Sequence, residues 1–299
     1  MELVTSEVET TRSMRLPMQE TLIMPVGDIQ YGAAECDFER FKRHIEWGVQ
    51  QGAYFIGMGD YVDFGSPSNR GKLKALIAEG TLYDTASDIL DGAAAEHLEK
   101  LQEVLAPTKG RWLGLVEGHH FWEFSDGTTS DTRLCQFLDA PFLGTCGVVE
   151  VRFKIEGADG ARSHKKPPAF QIWAHHGRGN GNLQSAPLNK LEGIVKSFPS
   201  IQVFLIAHHH KKVSGKLNQV DFNFSSTGKG SSRGRNVILA CTGGFLRGYL
   251  IGNKRGNRAQ GSYVERGMMT PVALGGVVIY ARPRVSSTGY TDVDLDVSI

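Results

Sequence analysis

The chain has 299 residues, 40% of them hydrophobic, and a formal net charge of +1, so it carries ample core for one large domain or two small ones and needs no staples. That near-neutral sum hides an asymmetry: residues 1–130 hold 11 Lys and Arg against 21 Asp and Glu, whereas residues 201–270 hold 11 against 2. Four cysteines without CxxC spacing exclude a disulfide-stapled frame and read as reduced thiols, and no apolar run approaches the ~20 residues of a membrane-spanning helix.

The first twenty residues are polar, with Glu2, Glu7, Glu9 and Glu20 interrupting any apolar run. They resemble no signal peptide and read as a tail over the surface, followed by a single domain over 21–299, with a soluble, cytoplasmic protein as the expectation. Leu22 to Val26 reads as a strand that delivers Asp28. Asp37 then stands as an N-cap before Phe38, Phe41, Ile45 and Val49, spaced as one helix face. A second strand, from Tyr54 to Ile56, ends at Asp60, and strand, helix, strand in this order sets the two strands parallel.

Between Lys72 and Ala106 the apolar spacing is helical, broken at Gly80 and stopped by Pro107. Leu113 to Val116 forms a third strand that delivers His119 and His120, and residues 129–138 suit a short helix. The period then changes to two, with Val149, Val151 and Phe153 alternating with Glu150, Arg152 and Lys154, which is a half-buried strand of a second sheet. Phe170 to Ala174 leads to His175 and His176. A helix through Leu188, Leu191 and Val195 precedes the strand Ile201 to Ile206, which runs into His208, His209 and His210. Short strands at 237–240 and 277–280 follow, separated by a glycine-rich basic loop over 247–267. Two sheets packed together with helices outside is the expected arrangement, in class α/β.

Five strand ends therefore carry the densest Asp and His of the chain, and seven of its ten histidines lie on three of them. In an open α/β sheet such ends meet in one crevice, where ligands bind. Carboxylate oxygen and imidazole nitrogen hold hard or borderline dications, and two ions that share a carboxylate, ~3.5–4 Å apart, clamp the attacking and leaving oxygens of an in-line displacement. Asp28, Asp60, His119, His176, His208 and His210 suffice for two such sites with Asp60 between them.

The order Asp28-x-Gln30, Gly59-Asp60-x-x-Asp63, Gly118-His119-His120, His176-Gly177 and Ala207-His208-His209-His210 resembles the calcineurin-like metallophosphoesterases. Their motifs read D-x-H, G-D-x-x-D, G-N-H-D/E, H-G and G-H-x-H, and the resemblance runs over about residues 22 to 212. It implies a four-layer αββα sandwich, two mixed β-sheets flanked by helices. Within it, two divalent transition-metal ions (Mn, Zn, Fe or Ni) would hydrolyse phosphate esters by attack of a metal-bound hydroxide. By position, Asp28, Asp60 and His210 would hold one ion with Gln30 beside it, and Asp60, His119, His176 and His208 the other. His120 falls on the family's histidine that faces the leaving group as general acid or cationic stabiliser.

Three positions depart from those motifs. Gln30 stands where the first motif has histidine, and an amide oxygen is the weaker ligand. His119 stands for asparagine, which strengthens the second site toward a transition metal. Phe121 replaces the acidic residue that orients the catalytic histidine, leaving Glu123 and Asp63 as candidate partners for His120. Gly177-Arg178-Gly179-Asn180-Gly181 lacks the spacing of a nucleotide loop and reads as a tight turn that brings Arg178 to the phosphate as a substrate-binding residue. The basic segment 211–266, with Lys211, Lys212, Arg233, Arg235, Arg247, Lys254, Arg255 and Arg258 beside Tyr249 and Tyr263, suits either a nucleic-acid strand or plain mobile surface. The expected function is that of a metal-dependent phosphoesterase acting on phosphodiesters, nucleic acid or nucleotide. The alternatives are a phosphomonoesterase, or a catalytically weak, metal-stabilised binding scaffold.

Overall fold

Successive side chains of a strand point to opposite faces, and the core divides on that rule. A computed structural model describes residues 11–81, 83–155, 167–179, 181–224, 226–249, 254–255, 258–259, 262–286 and 290–299. In β2 (Thr21–Val26), Ile23 faces one apolar cluster and Met24 another; in β3 (Tyr54–Gly57), Ile56 and Phe55 divide the same way. The inward cluster joins Ile23 and Ile56 to Val149, Ile172, Leu205 and Ile238 of the other sheet. It is the layer between two sheets.

One sheet runs β14-β13-β2-β3-β4. Its strands β2, β3 and β4 (Trp112–Leu115) are parallel, and β13 (Val278–Val285) and β14 (Thr291–Ser298) are antiparallel. The other runs β1-β5-β6-β7-β9-β12, with β8 also paired to β9. Its strands are β1 (Thr11–Leu16), β5 (Cys146–Phe153), β6 (Ala169–His175), β7 (Val203–Ile206), β8 (Lys212–Phe224), β9 (Gly230–Gly244) and β12 (Gly275–Gly276). Parallel β6–β7–β9 and antiparallel β5–β6 and β8–β9 pairs make it mixed too. A small β10 (Lys254–Arg255) and β11 (Arg258–Ala259) pair stands apart.

Helices cover both outer faces. Against Phe55 and Trp112 pack α1 (Phe38–Gln50), α3 (Asp84–Leu105) and α4 (Ser130–Leu138), through Phe41, Leu101 and Leu134. Against Phe204 and Leu239 packs α5 (Ala186–Val195), through Leu191 and Val195. The order helix, sheet, sheet, helix is the expected four-layer sandwich. The caps are local: the Asp37 side chain accepts from Arg40 N at 3.2 Å, and Thr129 and Thr132 cap α4 reciprocally. Gly80 separates α2 (Pro67–Ala78) from α3, as expected, and one further short helix, α6 (Tyr263–Arg266), lies in the late basic stretch.

Two differences from expectation share a cause. Where polarity suggests a tail, Thr11–Leu16 forms an edge strand parallel to β5; where it suggests loop and short strand, β8 and β9 form a long ribbon. The start of β1 and the outer half of the ribbon are exposed, and exposed strand needs no apolar alternation. Residues 1–10 of the expected tail and most of the expected loop at 157–168 lie outside the described residues. No helix among the described residues is long and apolar enough to cross a membrane.

Candidate metal centre

The strand ends leave their sheets through an uncommon backbone. Asp28, Gln30, Asp60, His208 and His210 all have φ between 47° and 65°, and they are five of the eight non-glycine residues with positive φ among those described. Such a residue costs on the order of 1–3 kcal/mol, least for Asp, Asn and His, and clusters of them mark sites. The turns are stitched to one another: Asp28 N donates to Gly59 O at 3.0 Å, Gln30 N to Asp60 O at 2.9 Å and Ala207 N to His176 O at 2.9 Å. Glycine permits the crowding. A Cβ on Gly118 would collide with the Asp60 backbone, and one on Gly244 would lie 2.9 Å from His210 Nδ1 and 3.0 Å from Asp28 Cβ.

Asp60, His119, His176 and His208 converge, their ligand atoms all within 4.8 Å of one another. This group can hold a metal ion. His176 places Nδ1 2.7 Å from Met58 O, which fixes the N–H on that nitrogen and leaves Nε2, 3.2 Å from Asp60 Oδ2, as the ligand. His119 and His208 meet through their Nδ1 atoms at 3.3 Å. Asp60 is further held by Oδ1, which accepts from His119 N and from His120 N, the latter at 3.0 Å.

Asp28 and His210 adjoin this group, and Gln30 is buried beside them. Asp28 Oδ2 accepts from His208 N at 2.8 Å, but Asp28 Oδ1 and His210 Nδ1 are buried without a hydrogen-bond partner among the described residues. Buried acceptors left bare are costly, and a cation is what a cluster of them accommodates.

Burial pushes the Asp60 carboxyl up, but His176 and His120 more than reverse it, to well below the usual carboxylate range. Burial pushes His176 down and Asp60 outweighs it, to about 9. His208, with burial and the His176 and His119 rings acting together, falls to about 3, so near neutrality its ring is uncharged and one of its two nitrogens carries a free lone pair.

His120 finds its partner in Asp63, with Nδ1 2.8 Å from Oδ1; Glu123 is taken by Lys74. Burial lowers His120, and the Asp63 hydrogen bond more than restores it, so its affinity for a proton is raised. Phe121 instead lies under Arg70, whose guanidinium is 3.8 Å from the ring centre and donates to His119 O at 3.1 Å and Phe121 O at 2.6 Å. Sequence reasoning missed Arg70, since nothing in α2 signals a contact 49 residues away. Arg178 is exposed in the turn after His176, with no side-chain partner among the described residues. His175 Nδ1 accepts from Gly177 N at 2.7 Å and supports that turn.

No protein-family model matches the sequence, and no curated protein matches it. Among solved structures, the crystal structure of Chaetomium thermophilum Vps29 aligns over 93% of this chain and 95% of that one, at 11% identity and a TM-score of 0.34. A likeness that loose carries no argument. The reading of the centre rests on its own geometry.

Within the basic segment, three of the named side chains have partners of their own. Lys211 is buried, and its ammonium donates to Gly181 O and, at 2.6 Å, to Leu183 O. Arg233 pairs with Asp292, and Arg235 Nε lies 3.0 Å from Asp221 Oδ2. The side chains of Lys254, Arg255, Arg258 and Tyr263 lie outside the described residues.

Proposed function

We propose that the chain is a metal-dependent phosphoesterase that cleaves phosphodiesters, nucleic acid or nucleotide, ahead of phosphomonoesters. The observation that carries this reading is the His120–Asp63 pair beside the carboxylate–imidazole cluster. A metal-stabilised scaffold has no use for a carboxylate-oriented imidazole held next to its ions. Asp60, His119, His176 and His208 would hold one divalent cation; Asp28 and His210, with Gln30 beside them, would hold a second against Asp60. The imidazole-rich set suits Mn, Zn, Fe or Ni. When bound, such ions supply Lewis-acid stabilisation of phosphoryl oxygens and lower the pKa of a water.

The remaining chemistry belongs to the side chains. With Nδ1 held by Asp63, His120 offers its Nε2 proton to the departing oxygen as general acid. Arg70 holds the carbonyls on either side of His120 and so fixes where that ring stands. Arg178, exposed and unpaired, meets a non-bridging phosphate oxygen. The test is hydrolysis of matched chromogenic mono- and diesters by protein chelated and reloaded with each metal, beside His120→Ala. Metal-dependent turnover, higher on the diester and about 10²–10⁴-fold lower in the variant, is expected. No turnover with any metal, on either chromogenic ester or on single-stranded DNA and RNA, would sink the catalytic reading and leave a scaffold.

A further inference from the structure

A cavity of about 270 Å³ opens directly beside the centre, with His208, His209 and His210 as part of its lining. That is just under the roughly 300 Å³ at which pockets for drug-sized ligands begin, room for one ring system and not for a polymer segment. Its apolar lining comes from Leu246, Val264, Met269 and Val272, and its polar side chains besides His208 and His210 are Asn182, Thr270, His209 and Lys211.

The lining is built. Val264 stands on α6, whose start is closed by Ser262 N donating to Glu265 and by Glu265 N, 3.4 Å from Ser262 Oγ. Met269 N donates to Val264 O at 3.0 Å, and the Tyr249 hydroxyl donates to Met269 O at 2.7 Å. Gly248 makes room, since a Cβ there would come within 2.6 Å of Val264 Cβ. Elsewhere in the lining, Lys211 staples residues 181 and 183 by their carbonyls.

The lining selects among the alcohols an ester could carry. Among the described residues no carboxylate lines the cavity, and the ammonium of Lys211 is spent on backbone carbonyls, so neither a cationic nor a second anionic group is matched. Four apolar side chains in the lining are wrong for a free sugar, which would leave hydroxyls unpaired against them. The polar side chains of Asn182, Thr270 and His209 are wrong for an acyl chain. A flat, uncharged ring with hydrogen-bonding edges satisfies both sets. We infer that this cavity seats the nucleobase of a nucleotidyl ester while the phosphorus lies at the centre.

This inference rests on the phosphoesterase reading, and the experiment separates the two. The p-nitrophenyl esters of thymidine 5′-phosphate and of methyl phosphate release the same phenolate and differ only in the group bound beside it. Expected is a kcat/KM at least about tenfold higher for the thymidine ester, carried by KM. Val272→Phe, which fills the cavity, should bring the ratio near unity, and Met269→Ala should lower it if the larger change does not fold. Equal kcat/KM for the two esters in the unaltered protein overturns the inference, as does a preference that survives both substitutions. If neither ester is cleaved, saturation-transfer NMR with thymidine decides the cavity, independently of the hydrolase reading. Transfer to the base protons that Val272→Phe abolishes supports it; no transfer overturns it.

Discussion

Both ends of the paired sheets are rich in charge, and they treat it in opposite ways. At the end away from the metal centre, where β6 and β7 begin, a cavity of about 560 Å³ is lined by Arg152, Arg233, Arg235 and Arg284. Each has its own carboxylate: Glu150, Asp292, Asp221 and Asp294 in turn. At the end where the strands finish, Asp28 Oδ1 and His210 Nδ1 are buried with no hydrogen-bond partner among the described residues. Density of charge is common to the two ends. At the far end each guanidinium faces a carboxylate of opposite sign, whereas at the near end like groups, imidazole beside imidazole and Asp28 beside Asp60, are crowded together.

Among the imidazoles the neighbour decides as well: His176 beside Asp60 is raised to about 9, while half-buried His44, with Lys212 near it, is lowered by burial to about 4. The unfolded chain therefore binds a proton at His44 that the folded chain refuses between pH 6.5 and 4, so stability falls as pH drops through that window. The loss grows to about 3 kcal/mol, and His44→Gln should flatten it in urea titrations at pH 7 and 4.5. Parallel acid losses in both chains would dismiss the assignment.

Next in size is the response to metal. An ion present at about a hundred times its Kd should stabilise the fold by about 2.7 kcal/mol, read as a rise in Tm that chelation reverses. Asp60→Asn should abolish the rise and Asp292→Ala keep it; a rise equal in the two would erase the distinction between the ends. Smaller again, Asp63→Asn should lower diester turnover about tenfold by freeing the His120 ring, with Tm nearly unchanged. Wild-type rates would mean that another group orients His120. Least of all, Arg233→Ala breaks a pair whose side chains are 42% and 47% exposed, and should shift stability by less than about 1 kcal/mol without touching turnover.

The near end was legible because its residues cluster in sequence at the close of apolar runs: Asp28 after β2, Asp60 after β3 and His208 after β7. Period and breaks placed most helices and the inner strands, down to Gly80 between α2 and α3. The far end was not legible. Its compensation depends on β14, whose Asp292, Asp294 and Asp296 meet Arg233, Arg284 and Lys216 across as many as 80 residues, and register between distant strands leaves no local trace. The partner of His120 lay between these cases. Asp63 and Glu123 were equal as residue types, and only the placement of Lys74 against Glu123 separates them.

The left-handed backbone at Asp28, Asp60, His208 and His210 bears on how this protein can change by descent. Asparagine rests in that conformation as easily as aspartate or histidine, and a single base change turns a codon for either into one for asparagine. The inherited replacements easiest on the fold are thus ones that remove a charge or an imidazole from the centre. A lineage released from selection for chemistry would lose the means to hold an ion well before it lost its shape.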